Sequence, residues 1–230
     1  MPHKEAVSDC INCPIRSISI FAGFSIEDLQ RLDIPVFTMR YDPGEIFYRE
    51  QGAVSAAFTI RSGVVKLIRE LPDGKSQILR LLTTGDIFGF EGLMDAHYHH
   101  TAVALTEVHA CRLQLSDLSR VCHENPHVHE AILHRWAQAL RQAESLVVEL
   151  GTRKAPERLA DFLENWCSQP GTDGWTPLPL TRQELAELLG LTVETVSRIL
   201  ADWKRRGCLE EEAGRIRLLG CLTSREADTN

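Results

Sequence analysis

The 230-residue chain has no apolar run long enough to span a membrane. Its opening, MPHKEAVSDC, lacks the apolar core of a secretion signal. A cytoplasmic protein is the expectation. The seven cysteines, at 10, 13, 111, 122, 167, 208 and 221, are then expected as thiols or ligands rather than disulfides. Positive charge is scarce: 25 Lys and Arg stand against 32 Asp and Glu, a net charge of −7. Split at residue 151, the first part carries 14 basic and 19 acidic residues and the second 11 and 13, so neither is basic overall. Nucleic-acid binding must therefore come from a local patch, formed by Arg182, Arg198, Lys204, Arg205 and Arg206 with Arg215 and Arg217. An acidic remainder limits non-specific binding to DNA. Catalytic signatures are missing too. There is no nucleophile elbow, phosphate loop or H-E-x-x-H. Cys10-x-x-Cys13 lacks the neighbouring βαβ pattern of a thiol oxidoreductase, although a thiol redox protein using that pair is the competing class.

What the chain does have is concentrated between Leu180 and Arg206, LTRQELAELLGLTVETVSRILADWKRR. Leu185, Leu188 and Leu189 fall on one helical face. Val193, Val196, Ile199, Leu200 and Trp203 do the same for a second helix. Between them Gly190 can take the left-handed conformation that ends a helix, and Thr192 can cap the next. Helix, glycine turn, helix is the arrangement that lays its second helix in the DNA major groove. Glu194, Ser197 and Arg198 share one face of that helix. Arg can donate two hydrogen bonds to guanine, Glu can accept from cytosine, and Ser can do either. Lys204, Arg205 and Arg206 close the helix, where cations suit its dipole and nearby phosphates. A solvated face on an ordinary helix hairpin is the alternative that periodicity alone leaves open.

The residues themselves go further. Thr181-Arg182-Gln183-Glu184-Leu185 with Gly190, followed by Glu194-Thr195-Val196-Ser197-Arg198-Ile199-Leu200, closely resembles the DNA-reading motif of the cyclic-AMP receptor protein / fumarate-nitrate reductase regulator (CRP/FNR) superfamily. Leu191-Thr192-Val193-Glu194-Thr195 looks like its oxygen-responsive branch. The match is nearly unbroken over about twenty residues, and the order of parts resembles the superfamily from about residue 20 to 220. The resemblance implies a homodimeric, sequence-specific transcription regulator that is not an enzyme. It also implies DNA contacts from Thr181, Arg182, Gln183, Thr192, Val193, Glu194, Ser197, Arg198, Lys204 and Arg205. Val193 stands where the cyclic-AMP branch has an Arg, so a palindrome of TTGAT half-sites is expected, with RNA polymerase as a partner.

The expected fold is α+β: a cyclic-nucleotide-binding-like β-roll, a long dimerisation helix and a C-terminal winged helix-turn-helix. Residues 1–19 form a polar, cysteine-bearing segment. Ser25 and the residues after it, within Phe21 to Leu32, read as a short capped helix. From Val36 to Leu115, short apolar runs alternate with the turns Asp42–Glu45, Arg61–Gly63, Pro72–Lys75 and Thr84–Asp86. Strands are expected at 46–48, 64–68 and 76–82. The sensory domain runs over 20–125, with a short helix over Ser116–Cys122. Pro126 then opens a helix to Leu150, with a stripe through Ile132, Leu133, Trp136, Leu140, Ala143, Leu146, Val147 and Leu150. A stripe of that length suggests a coiled-coil partner. Trp136, Leu140, Ala143, Leu146, Val147 and Leu150 are the candidate dimer residues. Gly151 and Thr152 mark a hinge into the DNA-binding domain, 151–220. That domain has a helix from Pro156 to Trp166, a loop from Ser168 to Pro179, and a hairpin turning at Ala213-Gly214. A tail occupies 221–230.

Three signals are open. Relatives that bind a cyclic nucleotide hold its phosphate with Arg followed by Ser or Thr. Here the matching stretch is His99-His100-Thr101-Ala102, with no Arg or Lys between Asp86 and Ala110. Relatives that bind haem place Cys and His just after the Gly-Asp-x-Phe turn, where this chain has Gly89 and Glu91. His97, His99 and His100 are a second metal candidate, with a solvated loop as the alternative. Oxygen-responsive relatives hold an iron–sulfur cluster on four thiolates. Cys10, Cys13 and Cys111 match three of them, and Ser19 stands in place of the fourth. Ala143 stands where the oxygen-responsive archetype has an acidic residue that weakens dimers lacking a cluster, so dimers here are expected with or without one.

Overall fold

The computed structural model describes residues 3–22, 24–31, 34–168, 171–220 and 222, with backbone alone for 3–7 and Asp28. Leu32, Cys221 and all of the expected tail except Leu222 lie outside the described residues. The chain divides into two compact units, 1–141 and 142–230.

The first unit is a pair of antiparallel sheets. One has the order β1–β2–β9–β4–β7, built from His3–Val7, Phe37–Tyr41, Val108–Gln114, Ala56–Ser62 and Ile87–Phe88. The other is β3–β8–β5–β6, from Ile46–Tyr48, Thr101–Ala104, Val65–Glu70 and Ser76–Leu82. The turns read from sequence separate these strands. The polar segment before residue 20 holds a strand, β1, that the composition did not announce. Its main chain pairs with β2, and this pairing needs no apolar side chains.

Successive side chains of a strand point to opposite faces, and here both faces of the first sheet are covered. Ala56, Phe58 and Ile60 of β4, with Val108 and Ala110 of β9, point into the roll. There they meet Tyr48, Val65, Leu67, Leu82, Ala102 and Ala104 of the second sheet. The intervening Ala57 and Leu113 point the other way, into a second core with Ile20, Phe24, Leu118, Val121, Val128 and Ile132. The short helix α1 spans Ile26–Arg31, and α2 spans Leu115–Glu124. The long helix α3 runs Pro126–Thr152. Gly151 and Thr152, expected as a hinge, still belong to it, with the Thr152 hydroxyl donating to the carbonyl of Val148 at 2.7 Å. The break falls at Arg153 and Lys154 instead.

The second unit packs three helices on a small sheet. Helix α4 is Ala155–Trp166, α5 is Arg182–Leu189 and α6 is Val193–Arg205. Leu159 and Leu163 of α4, Leu185 of α5, Val196 and Leu200 of α6, and Leu209 and Ile216 of the sheet are all fully buried. Phe162, expected inward, is half-buried and stacks on Trp166 at 5.9 Å. The expected hairpin is β11, Leu209–Glu212, with β12, Arg215–Leu218. Ala213 and Gly214 both have positive φ, 48° and 75°, the two-residue turn whose twist matches a hairpin. The expected loop from Ser168 to Pro179 contains a short third strand, β10, Thr176–Pro177, paired with β12.

Candidate functional site

Local chemistry shapes the helix-turn-helix. At the start of α5 the Glu184 amide donates to the Thr181 hydroxyl oxygen at 3.2 Å, and the Thr181 amide donates to the Glu184 carboxylate at 2.8 Å. This reciprocal pair satisfies two amides that the helix leaves open. Gly190 ends α5 at φ 61°, ψ 44°, a left-handed position natural to glycine. The Thr192 hydroxyl accepts from the Thr195 amide at 3.2 Å and starts α6. Val196, Ile199, Leu200 and Trp203 are then buried, while Glu194, Ser197 and Arg198 stand exposed together. The backbone amide of Glu194 and the Thr192 hydroxyl hold the Glu194 carboxyl below its usual range, so it stays an acceptor.

The expected contact residues differ in what already occupies them. Arg182 donates to Glu211 at 2.6 Å, and Lys204 pairs with the same carboxylate. Gln183 donates to Glu187 at 2.9 Å. Arg205 and Arg206 pair with Asp202. On the hairpin, Arg215 pairs with Asp173 at 3.0 Å and Arg217 with Glu210. Trp175 lies under both guanidiniums, at 5.3 and 4.9 Å. Arg198 has no such carboxylate among the described residues.

Helix α3 presents a second surface. Its first turns bury Val128 and Ile132 in the sheet core, so Ile132 does not belong to an outward stripe. Beyond them Leu133, Leu140, Val147 and Leu150 are 48, 60, 70 and 41% exposed. With Trp136 and Ala143 they recur at alternate steps of three and four, the seam of a coiled coil. Trp136 is half-buried, its ring 5.9 Å from Phe90. Leu146 is half-buried as well.

The thiols converge. Cys10, Cys13 and Cys111 line one cavity of about 30 Å³ with Ser19 and Ile15. Burial pushes the Cys10 thiol up to about 11, and the neighbouring Cys111, Cys13 and Asp9 add to the rise. The Ser19 hydroxyl already donates to the Arg16 carbonyl at 3.0 Å and accepts from the Phe21 amide at 3.1 Å. No group of three potential ligands is arranged to hold a metal ion among the described residues. A cavity with room for a water or two and a Ser19 hydroxyl already engaged do not fit an iron–sulfur cluster.

Inside the roll a polar knot takes the place expected for an effector. Tyr48 stacks on Tyr98 at 3.7 Å, and its hydroxyl meets His100 Nε2 at 2.7 Å. Glu91 Oε1 lies 3.4 Å from the same nitrogen and has no hydrogen-bond partner. Burial raises the Glu91 carboxyl and lowers the His100 imidazole to about 4, Arg80 and His99 adding to the latter. Thr101, expected near a cyclic phosphate, already accepts from the Glu50 amide at 3.0 Å. Arg80 is a cation whose charge acts on His100; burial makes it easier to deprotonate while Asp86 and Glu91 stabilise its charge. These residues do not fit a cyclic nucleotide. The expected histidine cluster is split: His99 pairs with Asp95 at 3.0 Å, His97 is exposed, and His100 is turned into the knot. The influence of Arg80 and the contact with Tyr48 were not legible at His100, because both residues come from strands distant in sequence. An Arg on an otherwise alternating strand was the available signal.

The model of the cyclic nucleotide-binding domain matches residues 38–125, and that of the Crp-like helix-turn-helix domain matches residues 157–221. The nitrogen fixation regulation protein FixK of Bradyrhizobium diazoefficiens is 29% identical, covering 91% of this chain and 90% of that one. The transcriptional activator protein anr of Pseudomonas aeruginosa is 25% identical, covering 93% and 89%. The solved structure of FixK2 from Bradyrhizobium japonicum superposes with a TM-score of 0.74 at 28% identity, covering 80% of this chain and 93% of that one.

The polar knot generates a test of its own. His100 stays neutral in the folded chain down to about pH 4, whereas an unfolded histidine takes its proton near 6.5. Its contribution to stability is complete above 6.5 and is lost as pH falls toward 4. The raised Glu91 carboxyl works in the opposite sense over part of that range, so the comparison is with His100→Gln. Between pH 7 and pH 4, wild type should lose up to about 3 kcal/mol relative to the variant. Urea unfolding of both proteins at the two pH values measures it, and parallel losses would sink the assignment.

Proposed function

Because the chain belongs to the CRP/FNR superfamily of DNA-binding transcription regulators, we propose that it acts in the cytoplasm as a homodimer on a two-fold-symmetric DNA site. The observation that carries this reading is the capped α6, with its apolar face buried and Glu194, Ser197 and Arg198 standing clear. The half-site proposed is TTGAT, with its inverted repeat one helical turn away. Val193 supplies no guanine contact where the cyclic-AMP branch has an Arg. RNA polymerase is the proposed partner of the DNA-bound dimer.

Arg198→Ala should weaken binding by ~1–3 kcal/mol and relax preference at one base position per half-site. A binding selection on wild type and variant reads both effects. Recovery of a TGTGA half-site from wild type would refute the assignment.

The dimer is proposed to form along the α3 seam. Leu140→Glu and Val147→Glu each place a charge in it, and should give monomers that bind the palindrome poorly. Sedimentation showing an unchanged dimer for both would defeat this reading.

The proposed signal is redox, taken up by Cys10, Cys13 and Cys111 as thiols. Oxidation of two neighbouring thiols by hydrogen peroxide forms one sulfur–sulfur bond, and both thiol protons leave in two waters. The support is the convergence of the three residues on one cavity. Peptide mapping after peroxide should find a bond between Cys111 and Cys10 or Cys13. Anaerobic reconstitution is the second arm. Iron and sulfide bound by wild type and lost in Cys111→Ala would replace the thiol reading with a cluster, and no bond in the first arm would overturn it.

A further inference from the structure

The cations of the DNA-binding unit are not equally available. From Arg182 to Arg217 there are seven, and six have a carboxylate partner: Arg182 and Lys204 with Glu211, Arg205 and Arg206 with Asp202, Arg215 with Asp173, and Arg217 with Glu210. Arg198 has none among the described residues. The four pairings that do not involve Glu211 lie at half-exposed surfaces, where ion pairs are weak and a phosphate can displace the carboxylate.

Glu211 differs. Its side chain is only 15% exposed, and one oxygen, Oε2, serves both Arg182 and Lys204. Burial pushes this carboxyl up, yet the hydrogen bonds from the two cations outweigh it and hold it below its usual range. The three groups come from separate elements: the first residue of α5, the last turn of α6 and strand β11. Beside them a groove of about 300 Å³ opens between the start of α5 and the hairpin, lined by Thr181, Arg182, Glu211, Gly214 and Arg215. A phosphodiester in that groove meets Arg182 with Glu211 already bound to it.

We propose that Glu211 is an internal stand-in for a backbone phosphate, and that it sets the chain's preference for its own site over other DNA. Resting on the DNA-binding reading above, this gives the carboxylate a thermodynamic role. It leaves the Arg182–Lys204 pair with one net positive charge instead of two. Binding through phosphates alone, which supplies nearly all non-specific affinity, loses a contact. Base reading through Arg198 is untouched. Glu211 also positions both cations, so it orders the surface whose charge it reduces.

The test uses the full chain and Glu211→Gln, which keeps an acceptor and removes the charge. Affinity is measured for the selected palindrome and for an unrelated duplex, each from about 50 to 200 mM salt. The variant should bind unrelated DNA several-fold more tightly. Its affinity should fall about three- to fourfold further than wild type across that range, the loss expected for one added phosphate contact. The ratio of specific to non-specific affinity should drop. Lys204→Gln in the variant background should abolish the extra salt dependence, and in wild type should change it little. Thermal melts accompany each variant. Weaker binding to both duplexes at an unchanged salt slope would make Glu211 a structural clip and overturn the inference. Should Glu211→Gln not fold, an equal salt-slope change for Lys204→Gln and Arg198→Ala in otherwise wild-type protein would overturn it as well. Arg198→Ala separates the two levels: loss of base preference there, with no slope change in Glu211→Gln, removes this inference and leaves the parent reading standing. A wild type without sequence preference removes both.

Discussion

The antiparallel pairing of β4 with β9 is the constraint on which the first unit depends. Register between two strands fixes which side chains face which way, and a slip of one residue would invert them all. Here the inward set, Ala56, Phe58, Ile60, Val108 and Ala110, closes the roll. The outward set, Ala57 and Leu113, is the floor on which α2 and the first turns of α3 settle. Cys111 sits on that outward side opposite Thr59, which is why a cysteine deep in the sequence lines a cavity with thiols near residue 10. The start of α3 is anchored by the same floor through Val128 and Ile132, leaving later turns with an apolar seam that their own unit does not cover.

The second unit was far more legible in the sequence than the first, and the reason is the range of its interactions. Thr181 with Glu184, Gly190, and Thr192 with Thr195 each act within four residues, so the helix ends could be read from neighbours. Strands at 46–48, 65–70 and 76–82 were legible from the turns that bound them. The strand at 3–7 was not, since main-chain pairing carries it. The meeting of Tyr48, Glu91 and His100 depends on segments brought together over dozens of residues. Arg182 and Lys204 looked alike as cations available to DNA. Nothing local announced that Glu211 holds both.

That last pairing changes how the charge of the chain is understood. A net charge of −7 reads as a weak argument against nucleic acid when it is counted over the whole sequence. In the folded chain the count matters less than the pairing. From Arg182 to Arg217, carboxylates on the hairpin, on α6 and at Asp173 pair six of the seven cations, and Arg198, without such a partner among the described residues, stands on the face of α6 with Glu194 and Ser197. The acidic residues are thus part of the reading surface, and they reduce its attraction for DNA of any sequence.

The uncovered seam of α3 has a consequence in mass action. Leu133, Leu140, Val147 and Leu150 lie open to water in the single chain. Whatever covers them binds the folded form and not the unfolded one, and so adds to stability by an amount that grows with the logarithm of its concentration. With a second copy as the proposed cover, the melting temperature is set by abundance as well as by sequence. A cell that makes little of this protein holds a less stable version of it, with more of each chain exposed to proteases, than a cell that makes much.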